Sequence, residues 1–144
     1  MRKNFGFTLI EIIIVLGIIS ILMMLGLVSY PNLQKKARDA SRVAEVDNIR
    51  SALELYRTNN SYYPESLSDL TENSLYLQTI PTDPLSPKHS YTYVPKTGCD
   101  NETVLCNDYT IGLALENDPE IPCTLTLTCG TLSCNFCLGP YGEK

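Results

Sequence analysis

The sequence predicts an α+β chain: a long N-terminal α-helix, transmembrane in its first half and amphipathic in its second, packed on a small antiparallel β-sheet with a disulfide-rich C-terminal region. Three observations predict it. An apolar run fills Phe7 to Val28, an apolar spacing of three and four continues to Tyr56, and short alternating segments together with all six cysteines occupy the rest. At 144 residues the chain is one domain plus an anchor.

The apolar run comes first. Phe7 to Val28 is 22 residues, which at about 1.5 Å per residue makes a helix of roughly 33 Å, enough for a hydrocarbon core of about 30 Å. Fifteen of these residues are Phe, Leu, Ile or Val, and together they favour insertion by roughly 7 kcal/mol. That exceeds the cost of the one carboxylate, Glu11, which lies near one end. A secretory signal peptide has a shorter apolar core and a small-x-small cleavage site, and neither is present. Arg2 and Lys3 precede the run while Lys35, Lys36 and Arg38 follow it, so charge alone does not orient it. Glu11 is either a carboxylate that snorkels or protonates, or the partner of a cation. The cation exists if the chain is cut between Gly6 and Phe7, which places a new amino group four residues upstream.

The stem comes next. Leu33, Ala37, Ala40 and Ala44, then Val46, Ile49, Leu53 and Tyr56, recur at helical spacing. Pro31 removes a backbone hydrogen bond and clashes with the preceding turn, so a bend is expected near Val28 to Pro31. The alanines permit close helix approach, and Thr58, Asn59, Asn60 and Ser61 end the helix.

Beyond the stem, Ser66-Leu67-Ser68-Asp69 reads as an N-cap with an acid three positions on, starting a short helix that carries Leu67 and Leu70. Pro81, Pro84 and Pro87 make a loop. Tyr91 to Val94, Tyr109 to Leu115 and Thr124 to Thr128 alternate with period two and read as three antiparallel strands, one face of which packs on the stem.

Cys99, Cys106, Cys123, Cys129, Cys134 and Cys137 all fall in the last 46 residues. In a small exported head they read as three disulfides of open connectivity, each typically adding about 2 to 4 kcal/mol. Cys134-x-x-Cys137 has zinc-ligand spacing, but a matching second pair is missing and an oxidising exterior disfavours free thiolates.

Function classes narrow accordingly. From residue 58 on, three Lys or Arg face eleven Asp or Glu, which argues against nucleic-acid binding. His89 reads as a surface-loop residue, and no nucleophile elbow, phosphate loop or paired catalytic carboxylates accompany it, so no enzyme is expected. The sequon Asn101-Glu102-Thr103 is discounted.

The stretch Gly6-Phe7-Thr8-Leu9-Ile10-Glu11, behind Arg2 and Lys3 and ahead of the apolar run, resembles the processing site of type IV prepilins and type II secretion pseudopilins. Ala52-Leu53-Glu54-Leu55-Tyr56, Tyr62-Tyr63-Pro64, Ile80-Pro81-Thr82-Asp83-Pro84 and Tyr91-Thr92-Tyr93 are similar in order and spacing to the major pseudopilin of type II secretion, over roughly residues 1 to 116. The resemblance implies a leader at 1–6, a transmembrane and assembly helix at 7–30, an amphipathic stem at 31–60 and a globular head at 61–144. It implies cleavage after Gly6 by a prepilin peptidase, N-methylation of Phe7, and a role for Glu11 in meeting a neighbouring subunit's terminal amine. The family's helix-kinking proline stands where this chain has Val28, and here Pro31 takes its place.

The implied partners are identical or related pilin subunits, the prepilin peptidase, inner-membrane assembly machinery and the membrane. The N-terminus would be cytoplasmic and the head outside, the protein being a structural subunit of a helical filament after assembly, either a type IV pilus or a type II secretion pseudopilus. Related major pseudopilins bind calcium in an acidic C-terminal loop. Here Asp100, Asn101, Glu102, Asp108, Glu116, Asn117, Asp118 and Glu120 form no compact ligand pattern, so no cofactor is expected and calcium lacks support. The alternative is a monomeric membrane-tethered, disulfide-rich binding module, which needs neither processing at Gly6 nor Glu11.

Overall fold

The computed structural model describes residues 6–143, apart from the side chains of residues 25–29 and 73. Two compact units divide at Ala37/Arg38. The helix α1, Leu9–Asn60, runs for 52 residues with Pro31 inside it.

In the first unit, the large apolar side chains from Phe7 to Met24 are all exposed, from 41% at Ile19 to 86% at Phe7. Among the described residues no helix is long and apolar enough to cross a membrane. The span expected over Phe7 to Val28 rests partly on residues 25–28, whose side chains lie outside the described residues, as do residues 1–5 of the expected leader.

The second unit is a layered head. Six strands follow α1: β1 Thr92–Pro95, β2 Tyr109–Leu113, β3 Thr128–Cys129, β4 Leu132–Ser133, β5 Phe136–Gly139 and β6 Gly142–Glu143. Four of them form an antiparallel sheet in the order β1-β2-β5-β6, while β3 and β4 pair as a separate hairpin.

Successive strand residues point to opposite faces. Tyr109, Ile111 and Leu113 of β2 and Phe136 and Leu138 of β5 pack with Val46, Ile49 and Leu53 of α1 in one core. Each such aliphatic side chain gains about 1.5 to 3 kcal/mol when fully buried. The alternate residues face the other way, and there Ala114, Cys129, Cys134 and Cys137 form a second core with Cys123, Leu127 and Leu132. The head therefore has a helix, a sheet and a cystine-rich outer layer.

Tyrosines tie the helix side together, because each combines apolar area with a polar tip. Tyr91 donates its hydroxyl to Glu45 (2.6 Å), Tyr63 to Glu54 (2.9 Å) and Tyr93 to the Pro64 carbonyl (2.6 Å). The Tyr63 and Tyr109 rings meet edge to face at 4.7 Å.

Several expectations change. The stripe Val46, Ile49, Leu53 and Tyr56 does turn inward, but Ala37, Ala40, Ala44 and Leu33 are exposed. Stepped back from Val46 by four and three, the buried face passes through Arg42 and Asp39. The short helix at Leu67–Leu70 is 3-10, with the Ser66/Asp69 capping box present and Leu70 buried.

The third expected strand is not Thr124–Thr128. The place beside β2 is taken by the continuously buried run Phe136–Gly139. Cys123 is bonded to Cys137, and of the alternating leucines Leu125 is exposed while Leu127 packs in the outer layer. His89 is a loop residue as expected, but it is buried, with Nδ1 at 3.0 Å from the Ala114 carbonyl oxygen.

Gly112 of β2 is where the layers come closest. A Cβ there would stand 2.7 Å from Cys134 Sγ, an atom fixed by its disulfide. Gly112→Ala is expected to lower stability by about 1 to 3 kcal/mol through overpacking, read as a lower urea midpoint at unchanged m-value.

Candidate functional site

Two groups of chemistry-bearing residues stand out, one at the start of α1 and one where α1 enters the head. Each is described within its own unit.

Residues 6–8 precede the helix, and both Gly6 and Phe7 are open: a Cβ on Gly6 would meet nothing within 4 Å, and Phe7 is exposed. The Gly6–Phe7 peptide therefore lies in accessible, non-helical backbone, which is what a peptidase must grip. Thr8 then caps the helix. Its N–H and hydroxyl both donate to Glu11 Oε2, at 2.9 and 2.7 Å, and its Oγ1 accepts from the Glu11 N–H at 3.4 Å. This is the reciprocal capping box, satisfying donors that a helix start leaves unpaired. The carboxylate is thus held one turn from the proposed cut. Thr8 was not singled out from the sequence, although Thr8-x-x-Glu11 ahead of an apolar run is the capping-box signature.

Pro31 lies within α1 and is exposed. The six cysteines pair as Cys99–Cys106, Cys123–Cys137 and Cys129–Cys134. Cys134 and Cys137 belong to different bridges, which removes the zinc reading of that pair.

The second group centres on Arg42, whose side chain is 1% exposed. Its Nε donates to Asp83 (2.6 Å) and its Nη1 to Asp39 (2.8 Å) and Glu116 (3.1 Å). Arg38 grips Glu116 with two bonds, at 2.6 and 2.7 Å. Asp39 accepts the N–H groups of Glu116 (2.9 Å) and Asn117 (3.0 Å), and the Asn117 side-chain amide (2.7 Å). Three segments far apart in sequence, residues 38–42, 83 and 116–117, are joined by this clamp.

The electrostatics follow from these bonds. Hydrogen bonding from Arg38, reinforced by Arg42 and opposed by burial, holds the Glu116 carboxyl at about 2 against an ordinary 4.5. Burial pushes Asp39 up, but the N–H donors of Glu116 and Asn117 together with Arg42 outweigh it and leave it below its ordinary value. Burial opposes the charge on Arg42, and Asp83, Glu116 and Asp39 override it, raising the guanidinium well above its ordinary value. Asp39 and Arg42 were not selected from the sequence, and Glu116 and Asn117 were weighed there only as calcium ligands. The signal was the backward extension of the buried spacing onto charged positions.

Several of the residues considered for calcium are used internally, Glu116 and Asn117 in the clamp and Asp100 and Asn101 in their own loop. Asp100 Oδ1 accepts the N–H groups of Glu102, Thr103 and Val104, at 3.1, 2.8 and 2.9 Å. Asn101 donates to the Tyr63 carbonyl (3.0 Å) and accepts from the Cys106 N–H (2.8 Å), so its amide nitrogen serves the fold. Among the described residues no group of His, Cys, Asp and Glu is arranged to hold a metal ion.

A family signature described as the prokaryotic N-terminal methylation motif matches residues 1–27. The chain is similar to the protein named type II secretion system core protein G of Escherichia coli, 30% identical over 109 residues that cover 73% of each chain. It is also similar to the proteins of that name in Vibrio cholerae, 33% identical over 84 residues covering 58% of this chain and 55% of that one, and in Dickeya chrysanthemi, 33% identical over 89 residues covering 61% and 55%. The match thus spans about half the length of two of these curated relatives and nearly three quarters of the third. No solved structure matches.

Two outcomes test the clamp. Arg42→Met removes one partner of a buried charge cluster and is expected to cost about 3 to 5 kcal/mol of unfolding free energy in urea titration. Because the folded pKa of Glu116 is depressed, its contribution is complete above about 4.5 and lost as pH falls towards about 2. Glu116→Gln should flatten the stability-pH curve in that window.

Proposed function

Because the chain belongs to the type II secretion system core protein G family, we propose that it is a structural pseudopilin subunit. A prepilin peptidase cleaves it after Gly6 and N-methylates Phe7, and inner-membrane machinery then assembles it with identical or related subunits into a helical filament. The observation that carries this reading is the first turns of α1. A run of apolar side chains from Phe7 to Met24 is exposed on all sides, with a single acid near its start.

Surface of that size needs cover. Before assembly the cover is lipid, with the N-terminus cytoplasmic and the head outside the membrane. Lipid tails are as apolar as leucine, so leaving the bilayer requires an equally apolar environment, and a bundle of identical anchors supplies one. Contacts related by a rotation that does not close then propagate as a helix.

Glu11 sets the register in this scheme. Burying a carboxylate or an ammonium alone in an apolar bundle is costly, and pairing them removes most of the cost. Cleavage creates the ammonium at Phe7, so an assembling subunit offers an amine where its neighbour offers the Glu11 carboxylate. The Thr8 cap holds that carboxylate in place beforehand. Pro31 follows the apolar run and gives the stem its bend outside the membrane.

Glu11→Ala is expected to leave the protein processed and membrane-bound while filament yield falls at least about tenfold, since losing even about 1.4 kcal/mol per contact shifts an equilibrium by that factor. The readout is sheared-filament protein against total membrane protein on immunoblots. Undiminished yield would contradict the pairing, and a lack of any sheared filament from the unaltered protein would favour a tethered monomer.

A further inference from the structure

The three disulfides are unequal in what they hold and in what can reach them. Cys129 and Cys134 are both buried, at 0% and 7% exposure. Cys137 is buried in the middle of β5, but its partner Cys123 is only half-buried. Cys99 is likewise half-buried and Cys106 buried.

What each bridge holds differs more. Residues 118–126 cross the surface of the head, and all of them but Pro119 and Cys123 are exposed. The segment is anchored at one end by Asn117 on Asp39, and at the other by Leu127, packed with Cys134 over Gly112. In between, among the described residues, the bonds that tie it to the rest of the head are at Cys123: the disulfide to Cys137 and one hydrogen bond from the Cys123 N–H to the Asn135 carbonyl (2.9 Å). The loop closed by Cys99–Cys106, by contrast, is independently held by Asp100 and Asn101 through bonds to residues 102–104, Tyr63 and Cys106.

We propose that Cys123–Cys137 is a redox latch on the head, whose opening frees residues 118–126 while the helix-facing core and the Cys129–Cys134 bridge stay intact. The chemistry is thiol–disulfide exchange with a dithiol reductant. A reductant thiolate attacks Sγ of Cys123, the less buried half of the bridge, the S–S bond breaks, and Cys137 leaves as a thiolate and takes up a proton. The reductant's second thiol then attacks the mixed disulfide, releasing Cys123 as a thiol and leaving the reductant as a disulfide. Two electrons and two protons have moved to the head, and a disulfide-donating oxidant reverses the process.

Opening the latch has a surface consequence. Ile121 shares a cleft with Val43, Phe136 and Leu138. Leu125 shares another with Val94, Pro95 and Tyr109. Freed of Cys137, the segment withdraws both walls and presents apolar side chains on either side of the sheet. Cys129–Cys134 does not respond, because neither sulfur is open to attack until the outer layer itself opens.

The test is graded reduction of the full-length protein in detergent with dithiothreitol under native conditions, with acid quench, alkylation and peptide mass mapping. Cys123 and Cys137 should be labelled at least about tenfold faster than Cys129 and Cys134, since the latter pair needs a costlier opening. Protease cleavage within 118–126 should appear in step with the Cys123 and Cys137 label, and not with label at Cys99 and Cys106. A Cys123→Ser/Cys137→Ser variant should be cleaved there without reductant; if it does not fold, the reduction series on the unaltered protein decides alone. Equal labelling rates for the two pairs, or an uncut segment in protein labelled at Cys123 and Cys137, would overturn the latch.

Discussion

β2 has to be covered on both faces, and the head has only one long helix with which to do it. Tyr109, Ile111 and Leu113 turn to that helix; Gly112 and, just past the strand, Ala114 turn to the other side, where the described residues offer only the short β3–β4 hairpin and the segments around it. The chain answers with sulfur. Cys137 lies between Phe136 and Leu138 of β5, so strand alternation alone aims it outward, and Cys129 and Cys134 meet it there. A region short of large apolar residues thereby acquires a buried layer whose pieces are covalently tied, each bridge typically worth about 2 to 4 kcal/mol. Gly112 is the matching concession on the sheet: a side chain at that position would occupy the space of the Cys134 sulfur.

A second constraint comes from the join between anchor and head. α1 is apolar and exposed from Phe7 to Met24 and apolar again where it meets the sheet, yet those two surfaces are distinct. Asp39 and Arg42 continue the buried face beyond Val46 without lengthening the apolar run, because charged side chains are costly in a bilayer. Their burial is tolerable only because Asp83, Glu116 and Asn117 complete the hydrogen bonding. The same bonds hold the end of the sheet and the proline-rich loop against α1, so the clamp gathers the head around the helix where the apolar core ends.

The sequence disclosed the elements that rest on local pattern. Val46, Ile49, Leu53 and Tyr56 repeat at helical spacing and do turn inward; Ser66 and Asp69 announce a cap that is formed; Tyr91–Val94 and Tyr109–Leu115 lie within a residue or two of β1 and β2. Where a second influence competed, the pattern misled. Thr124–Thr128 alternates as a strand should, but Cys123 is pulled to Cys137 and the run Phe136–Gly139, buried on both faces and so lacking alternation, takes the neighbouring position. Asp39 and Arg42 were passed over because charge normally marks a solvated face, and their partners at Asp83 and Glu116 are distant in sequence. At the N-terminus Gly6, Phe7 and Glu11 were legible as a motif, whereas the use of Thr8 and Glu11 as a reciprocal cap emerged from their geometry.

The proposed function joins a processed anchor, assembling through its exposed apolar surface, to a head closed by a charge clamp and three cystines. The most direct test is the mass of the N-terminal and cysteine-containing peptides of the protein isolated from membranes or sheared filaments, alkylated before digestion. The account requires a chain that begins at N-methylated Phe7 and carries no alkylated cysteine. A chain that begins at Met1 in cells possessing the peptidase would contradict it.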